Sequence, residues 1–416
     1  MKKIYTSIDL GSDTIKILVG ELVGKDINVL ASTVVKSKGI KNGLIIDSNL
    51  VVNSIKDGVQ ELNKKLGFEI KKVIVNVPDY NARFMYVTGK IIVDGIISSD
   101  DVTNVIKDSA YNKLEKDYEL VTIIPLDFVI DSKEDNPYPI GKECKTLEIK
   151  GIMISVPKKN IYSVLSVMTA AELEVIDITI SGLADYYQVR NKKTDNKVGA
   201  IINIGHETTN VSVINNGKIM NTETIQLGGI NIENDISYVF GTNIIDARKI
   251  KEKFATCHKR FTSLNETYEV ENNLGEKVKL NQLEVTEVVM SRVAEILKLA
   301  KKQVTLLTKK KIDYLIITGG LTEIKSFKNL VYEILGKDVI IYLMDVIGIR
   351  NNKFITALGM IKAFVEKMRI RGKDYSMISE ENEELLLTPD DKKRKDKVVV
   401  PKIFKGFIKN KEENYE

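Results

Sequence analysis

The chain has 416 residues, 43% of them hydrophobic and 29% charged, which predicts at least two domains. Two cysteines (Cys144, Cys257) and two histidines (His206, His258) exclude a disulfide framework and a histidine-built metal cage. The net charge is +5, yet residues 392–409 carry eight basic side chains against the single acid Asp396; the remainder is slightly acidic, which weighs against a general nucleic-acid-binding body.

Asp9 interrupts the first apolar stretch too early for a secretory leader. No apolar run reaches the ~18–20 residues of a spanning helix, so a cytoplasmic protein is expected. Residues 4–8, 14–22 and 27–35 are rich in β-branched side chains and predict three strands, punctuated by Gly11 and Gly24. A helix with Leu50, Val51, Ile55, Val59 and Leu62 at helical spacing follows, then a buried-type strand, VIVNV, ending at Pro78. The stretches 199–204, 208–214 and 218–226 repeat this plan, with Asn216-Gly217 as the hairpin turn. Helices are predicted near 228–240, 244–256, 282–309 and 353–367, and the buried strand YLIIT runs into Gly319-Gly320. Two halves of the same order imply an internally duplicated α/β unit. Residues 83–160 break the pattern with a strand, a helix over 99–115 and further strands at 119–130 and 145–155, the signature of an inserted small α+β module. It lacks any phosphate-binding turn, so a role in assembly rather than catalysis is expected. After Arg371 the sequence turns Glu- and Lys-rich, as a linker would be.

The stretches IDLGSDTIKILVG (8–20) and INIGHETTNVSVI (202–214) share one design. Each has a strand, an acid or amide, a glycine, a hydroxyl-bearing turn and a returning strand. A tight glycine turn leaves backbone N–H groups facing outward, a nest for phosphate oxygens. Ser12, Thr14, Thr208 and Thr209 add hydroxyls, and Asp9 is a candidate holder of hydrated Mg2+. In IITGGLTEI, two glycines after a buried strand would let a base or sugar approach the backbone. Either hairpin alone has a bland reading as an ordinary turn; the ordered, duplicated set argues for a polyphosphate clamp. There is no P-loop motif.

These segments resemble the phosphate-1, phosphate-2 and adenosine motifs of the actin/Hsp70/sugar-kinase ATPase superfamily. DGIISSDDVTNVIKDSA, IIPLDFVID, NPYPIGKECKTLEIKG and LGGINIENDI are similar to the FtsA family of bacterial cell-division proteins, whose inserted 1C module the 83–160 segment resembles. The implied fold is α/β: a duplicated actin/Hsp70-like core, an inserted α+β module and a C-terminal amphipathic helix. The implied organisation is 1–82 as the first actin-like subdomain, completed by about 161–190 and 353–370; 83–160 as the module; and 191–352 as the second lobe, with 228–310 its outer subdomain. A linker at 371–397 and a membrane-binding helix at 398–412 complete it.

The resemblance carries over residue by residue. Asp9, Gly11, Ser12, Asp13, Thr14 and Lys16 match phosphate 1, and Asn203, Gly205, Thr208, Thr209 and Asn210 match phosphate 2. Gly228, Gly229, Thr318, Gly319 and Gly320 match the nucleotide-side glycine segments, and Lys251 matches a nucleotide-contacting lysine. The implied cofactors are ATP and Mg2+. The implied role is a filament on the cytoplasmic face of the cell membrane at the division site, anchoring the tubulin-like FtsZ through its C-terminal peptide and recruiting later division proteins. For that peptide the helix around VVMSRVAEILKLAKK offers Arg292 and Lys298.

Four positions depart from the family. Asn203 stands where vigorous ATPases carry Asp, and an amide cannot take a proton from attacking water, so weak or absent ATPase activity is expected. His206 and Glu207 replace a glycine-rich turn; His206 reads as a solvated loop histidine rather than a general base. Arg248 stands where many relatives carry Glu near the sugar. In the tail, Ile403, Phe404, Phe407 and Ile408 gather on one side of a helical wheel with Lys402, Lys405 and Lys409 opposite, a membrane-surface pattern suited to anionic lipids. The alternatives are a pilus-assembly actin-like relative and a sugar or acetate kinase. The kinase would need a carboxylate aimed at an acceptor, and none stands beside the phosphate turns. An Hsp70-like chaperone is disfavoured by the insertion and by the lack of a β-rich domain after residue 370.

Overall fold

The computed structural model describes residues 2–133, 137–379 and 382. The β-branched runs at the start pair as an antiparallel meander, Lys3–Leu10 (β1), Thr14–Val23 (β2) and Asp26–Lys36 (β3). A two-residue ladder, Ile40–Lys41 (β4) with Leu44–Ile45 (β5), leads into the helix Ser48–Leu66 (α1). Asp47 caps α1 by accepting from Leu50 N at 3.1 Å, and left-handed Gly67 ends it. Val51, Ile55, Val59 and Leu62 bury its inner face, whereas Leu50, beside the cap, is turned to solvent. Lys72–Val77 (β6) then lies parallel to β1.

The inserted segment forms its own three-stranded sheet from Arg83–Ile96 (β7), Tyr118–Ile130 (β8) and Glu143–Pro157 (β9), with β9 central. The helix Ser99–Ala110 (α2) packs on it through Val102, Val105 and Ile106. It starts at a capping box between Ser98 and Asp101. It stops at Ala110 rather than 115, because Tyr111 is not helical and Asn112 is left-handed (φ 55°). A Cβ at Gly89 would meet Ser109 N at 2.6 Å, so α2 rests directly on the β7 backbone. The module has its own core around Phe128, Leu147, Ile149 and Met153. Val121, Ile124, Ile152, Ile154 and Val156, however, point from β8 and β9 into the core of the first lobe.

Lys158–Ala170 (α3), Glu174–Ile180 (β10) and Ser181–Val189 (α4) complete that lobe, with β10 parallel to β6. The second lobe repeats the plan: Val198–Ile204 (β11), Thr209–Asn215 (β12) and Lys218–Ile225 (β13) form the meander. Its outer part comprises Gly229–Phe240 (α5), Ile244–Lys249 (α6), the hairpin Thr267–Glu271 (β14) with Lys277–Asn281 (β15), and Gln282–Leu307 (α7). The predicted single helix over 244–256 is α6 followed by a π-turn at Ile250–Phe254, closed by Ala255 N donating to Ile250 O. Tyr314–Thr318 (β16), Phe327–Leu335 (α8), Val339–Ile341 (β17) and Ile355–Ile370 (α9) finish the described chain, apart from short turns.

The two large sheets run β10-β6-β1-β2-β3 and β13-β12-β11-β16-β17. A meander flanked by two parallel strands therefore occurs twice, in the same sense. The helices α4 and α9 join the lobes and cross closely; a Cβ at Gly359 would overlap the Ala184 carbonyl oxygen. Most of the expected linker and all of the expected terminal helix, including Lys402, Ile403, Phe404, Lys405, Phe407 and Ile408, lie outside the described residues.

Candidate functional site

The first turn lies between β1 and β2, where the register sets Asp9 opposite Lys16. Their side chains pair at 3.1 Å, and Asn76 Nδ2 donates to the other Asp9 oxygen, also at 3.1 Å. The Lys16 ammonium curls over the turn, 2.8 Å from where a Gly11 Cβ would stand. Glycine at 11 thus leaves room for a cation where phosphate oxygens would lie. Asp13 faces the other way, paired with Lys36 and with Arg248 Nη1 of the second lobe at 2.8 Å. Burial would raise the Asp13 carboxyl, but Lys36, His206 and Arg248 outweigh it and hold it at about 2.

The matching turn follows β11. Gly205 N donates to Thr208 O at 2.9 Å, and the loop carbonyls of Gly205 and His206 accept from Gly229 N and Ile230 N. The first N–H groups of α5 are therefore spent on this turn. Gly228 is required by that approach: its Cβ would meet the Gly205 and His206 carbonyl oxygens at 2.7 and 2.6 Å. Gly228, Thr209 and Thr318 do not line the cleft; all the other nucleotide-side candidates do. Thr209 Oγ1 donates to Leu227 O at 2.8 Å behind the wall. Thr318 is fully buried with its hydroxyl unpartnered. Gly319, at φ +98°, packs against Asn203 Oδ1, whereas Gly320 has open space where its Cβ would be. Close backbone approach is thus available at Gly320 rather than Gly319.

Glu233 organises the second-lobe wall. It is 1% exposed, and Lys251, Arg248 and His206 converge on it. The π-turn after α6 carries Lys251 inward to reach it. Burial would raise the Glu233 carboxyl, but His206 and Lys251 win and set it at about 2. His206 is consequently not a solvated loop residue; its Nε2 lies 2.6 Å from Arg248 Nη2. Glu233 carried no phosphate-motif signal. It is a lone acid on the apolar face of Ile232 and Ile236, and that mismatch was the available clue. Cys257 is buried and His258 pairs with Glu333 at 2.9 Å.

Two lobes thus face each other across a cleft of about 520 Å³, within the range of small-molecule sites. Lys16, Ser12 and Thr14 line one side, Thr208 and Lys251 the other. Asn42, Asn76, Asp79, Ser181, Glu323 and Asn352, which motif reading passed over, also line it. A cation flanked by hydroxyls from both walls fits a polyphosphate. Among the described residues no group of three or more His, Cys, Asp or Glu is placed to hold a metal ion. Both Asp9 oxygens already have partners, so Asp9 suits a metal that keeps its waters.

Arg292, on α7, is already bidentate to Asp235 at 2.6 and 2.8 Å and also bonded to Glu295. It lies in a groove with Asp235, Tyr238, Glu287 and Glu295. The surface offered to an acidic peptide is therefore more acidic than the sequence implied. Among the described residues no helix is long and apolar enough to cross a membrane.

The family model described as "Cell division protein FtsA" matches residues 200–359, and that described as "SHS2 domain inserted in FTSA" matches 82–155. Cell division protein FtsA of Bacillus subtilis (strain 168) is 26% identical over 376 residues, covering 89% of this chain and 86% of the relative. MreB5 of Spiroplasma citri bound to ADP superposes with a TM-score of 0.54 at 12% identity, over 88% of this chain and 97% of that one. A chain of the PilM-PilN type IV pilus biogenesis complex superposes with a TM-score of 0.59 at 12% identity, over 87% and 98%. At these identities the solved structures establish the actin-like fold alone.

Proposed function

Because the chain belongs to the FtsA family of actin-like cell-division proteins, we propose that it binds ATP with Mg2+ in the interlobe cleft and polymerises on the membrane at the division site. There it anchors FtsZ through the FtsZ C-terminal peptide and recruits later division proteins. The observation that carries the nucleotide reading is the pair of hairpin turns facing each other, with Lys16, Ser12 and Thr14 opposite Thr208. Lys16 and the hydroxyls hold the phosphates; Asp9 steadies the hydrated ion that neutralises them; Gly320 admits the nucleoside. Turnover is slow, because the amide of Asn203 cannot accept a proton from water. Thr14→Ala and Gly319→Asp should each weaken binding of a fluorescent ATP analogue, the second more strongly because it drives a side chain into Asn203. Wild-type binding by both variants would remove the cleft from the account. Turnover at ordinary enzyme rates, ~1–10³ per second, would instead favour the kinase alternative.

Membrane attachment is assigned to Lys402, Ile403, Phe404, Lys405, Phe407 and Ile408, whose sequence alternates large apolar and basic side chains. Burying the apolar ones gives at most ~1.5–3 kcal/mol each, so one tail holds weakly and a filament of many tails holds firmly. The FtsZ peptide is assigned to the α5–α7 face, where it would have to displace Asp235 from Arg292. In co-sedimentation with anionic vesicles, ATP and labelled FtsZ peptide, Phe404→Glu with Phe407→Glu should leave the protein unpelleted while peptide binding persists. Arg292→Glu should do the reverse. Undiminished pelleting of the first variant excludes the tail as anchor, and undiminished peptide binding by the second places the docking face elsewhere.

A further inference from the structure

One layer behind the second phosphate turn lies a carboxylate that pairs with no cation among the described residues. Asp185, on α4, is 1% exposed. Its Oδ2 accepts from Asn203 Nδ2 at 2.6 Å, and its Oδ1 accepts from Thr356 Oγ1 at 2.7 Å. Asn203 and Thr356 line the cleft and Asp185 does not. Three elements, α4, β11 and α9, therefore meet at this carboxylate on the cleft floor, where the lobes join.

With Asp185 ionised, the contact sets which way the amide faces. A flipped Asn203 would set its carbonyl oxygen against a carboxylate oxygen, acceptor on acceptor. With the nitrogen committed to Asp185, Oδ1 must lie the other way, where it packs against Gly319. An acid at 203 would bring a second carboxylate edge to edge with a buried one, and such a pair holds one proton between its members. The surrounding charges do not relieve this. Asp79 is held by Ser181 N and Gly182 N at 2.7 and 2.8 Å, and Asp9 is taken by Lys16. Burial, with smaller contributions from Asp79 and Asp9, already raises Asp185 to about 7 against the pull of its two donors.

We propose that Asp185 is a positioning residue that locks the Asn203 amide, and that this pairing, not the amide alone, denies the cleft a carboxylate able to activate water. The proposal rests on the ATP reading above. In hydrolysis, the water oxygen bonds to the terminal phosphorus as the bond to the bridging oxygen breaks. ADP leaves with that electron pair, and a base takes the water's proton. A carboxylate placed at 203 would be a weaker base while it shares a proton with Asp185.

The test uses the full chain as wild type, Asn203→Asp, Asp185→Asn and the exchange Asn203→Asp/Asp185→Asn. The exchange, in which the amide at 185 donates to the acid at 203, should release phosphate from ATP at least ~100-fold faster than wild type, the low side of a general-base effect. Asn203→Asp alone should be slower than the exchange near neutral pH and approach it as pH rises and the shared proton leaves. Melting without nucleotide gives a readout free of ATP. The shared proton has a raised folded-state pKa, so its stabilisation is lost as pH rises. Asn203→Asp should therefore lose melting temperature between about pH 6 and about pH 9 more steeply than wild type or the exchange. Asn203→Asp matching the exchange at neutral pH, or melting no more steeply than wild type, overturns the proposal. Failure of wild type to bind ATP overturns the nucleotide reading instead, and the melting series still decides whether 185 and 203 are coupled.

Discussion

Glu233→Ala is expected to destabilise the folded chain by about 3–5 kcal/mol, the cost of leaving a buried partner charge uncompensated. Lys251 is buried beside it and Arg248 is half-buried. Both lose the carboxylate that brought them out of water. Asp13 still holds Arg248, so the larger penalty falls on Lys251. Lys251→Met on the Glu233→Ala background should therefore recover much of the loss, and a double-mutant cycle by urea unfolding measures the coupling. The pH dependence has a defined sign. Glu233 titrates near 2 in the folded chain and near 4.3 when unfolded. Its contribution is complete above the unfolded value and disappears as pH falls through the folded one. The stability gap between wild type and Glu233→Gln should close over that window and stay constant above it. A gap of under ~0.5 kcal/mol at neutral pH would show that the cluster is only a surface charge network.

The part of this architecture legible in sequence was what repeats locally. The runs at 4–8 and 14–22 carry β-branched residues and flank a glycine turn, so their pairing follows from neighbours in the chain. The same holds for 199–204 and 208–214, and the matching order of the two halves marks the duplication. What could not be read depended on residues far apart. Glu233 needs Lys251, and that contact exists only because a π-turn rotates Lys251 inward. Asp185 reads as one of several polar residues in a short helix; its partners are Asn203 on the next lobe and Thr356 on another helix. Gly228 carries a phosphate-side signature but answers to the carbonyls of Gly205 and His206. The hairpin at 267–281 was missed because its strands alternate with charges and bury little, Val270 and Leu280 alone being fully inside.

Excision of residues 83–160 is expected to unfold the first lobe rather than yield a trimmed ATP-binding core. The inserted sheet reads as a detachable unit in sequence, because 83–160 has its own strands and helix and no phosphate turn. Its strands β8 and β9 nonetheless extend past the module's core. Val121, Ile124, Ile152, Ile154 and Val156 pack with Ile161, Val164 and Ile180 in the core of the first lobe. At ~1.5–3 kcal/mol for each large aliphatic side chain buried, these five contribute about 8–15 kcal/mol, as much as the whole stability of a typical domain, ~5–15 kcal/mol. One polar tie crosses the same seam, Ser99 Oγ to Arg371 O at 2.6 Å, while Lys218 Nζ to Pro125 O at 2.8 Å ties the module to the second lobe. The excised chain should therefore lose its cooperative melting transition and ATP binding together, and the loss of binding would say nothing about where ATP sits. The module's own role is tested instead on its edge strand, where Ile92 and Ile96 of β7 are 86% and 67% exposed. Changing both to Asp should leave stability within ~0.5 kcal/mol per site and ATP affinity unaltered, so that any loss of filaments or of partner recruitment belongs to that surface. A chain lacking 83–160 that still melts cooperatively at the wild-type temperature would refute the shared core.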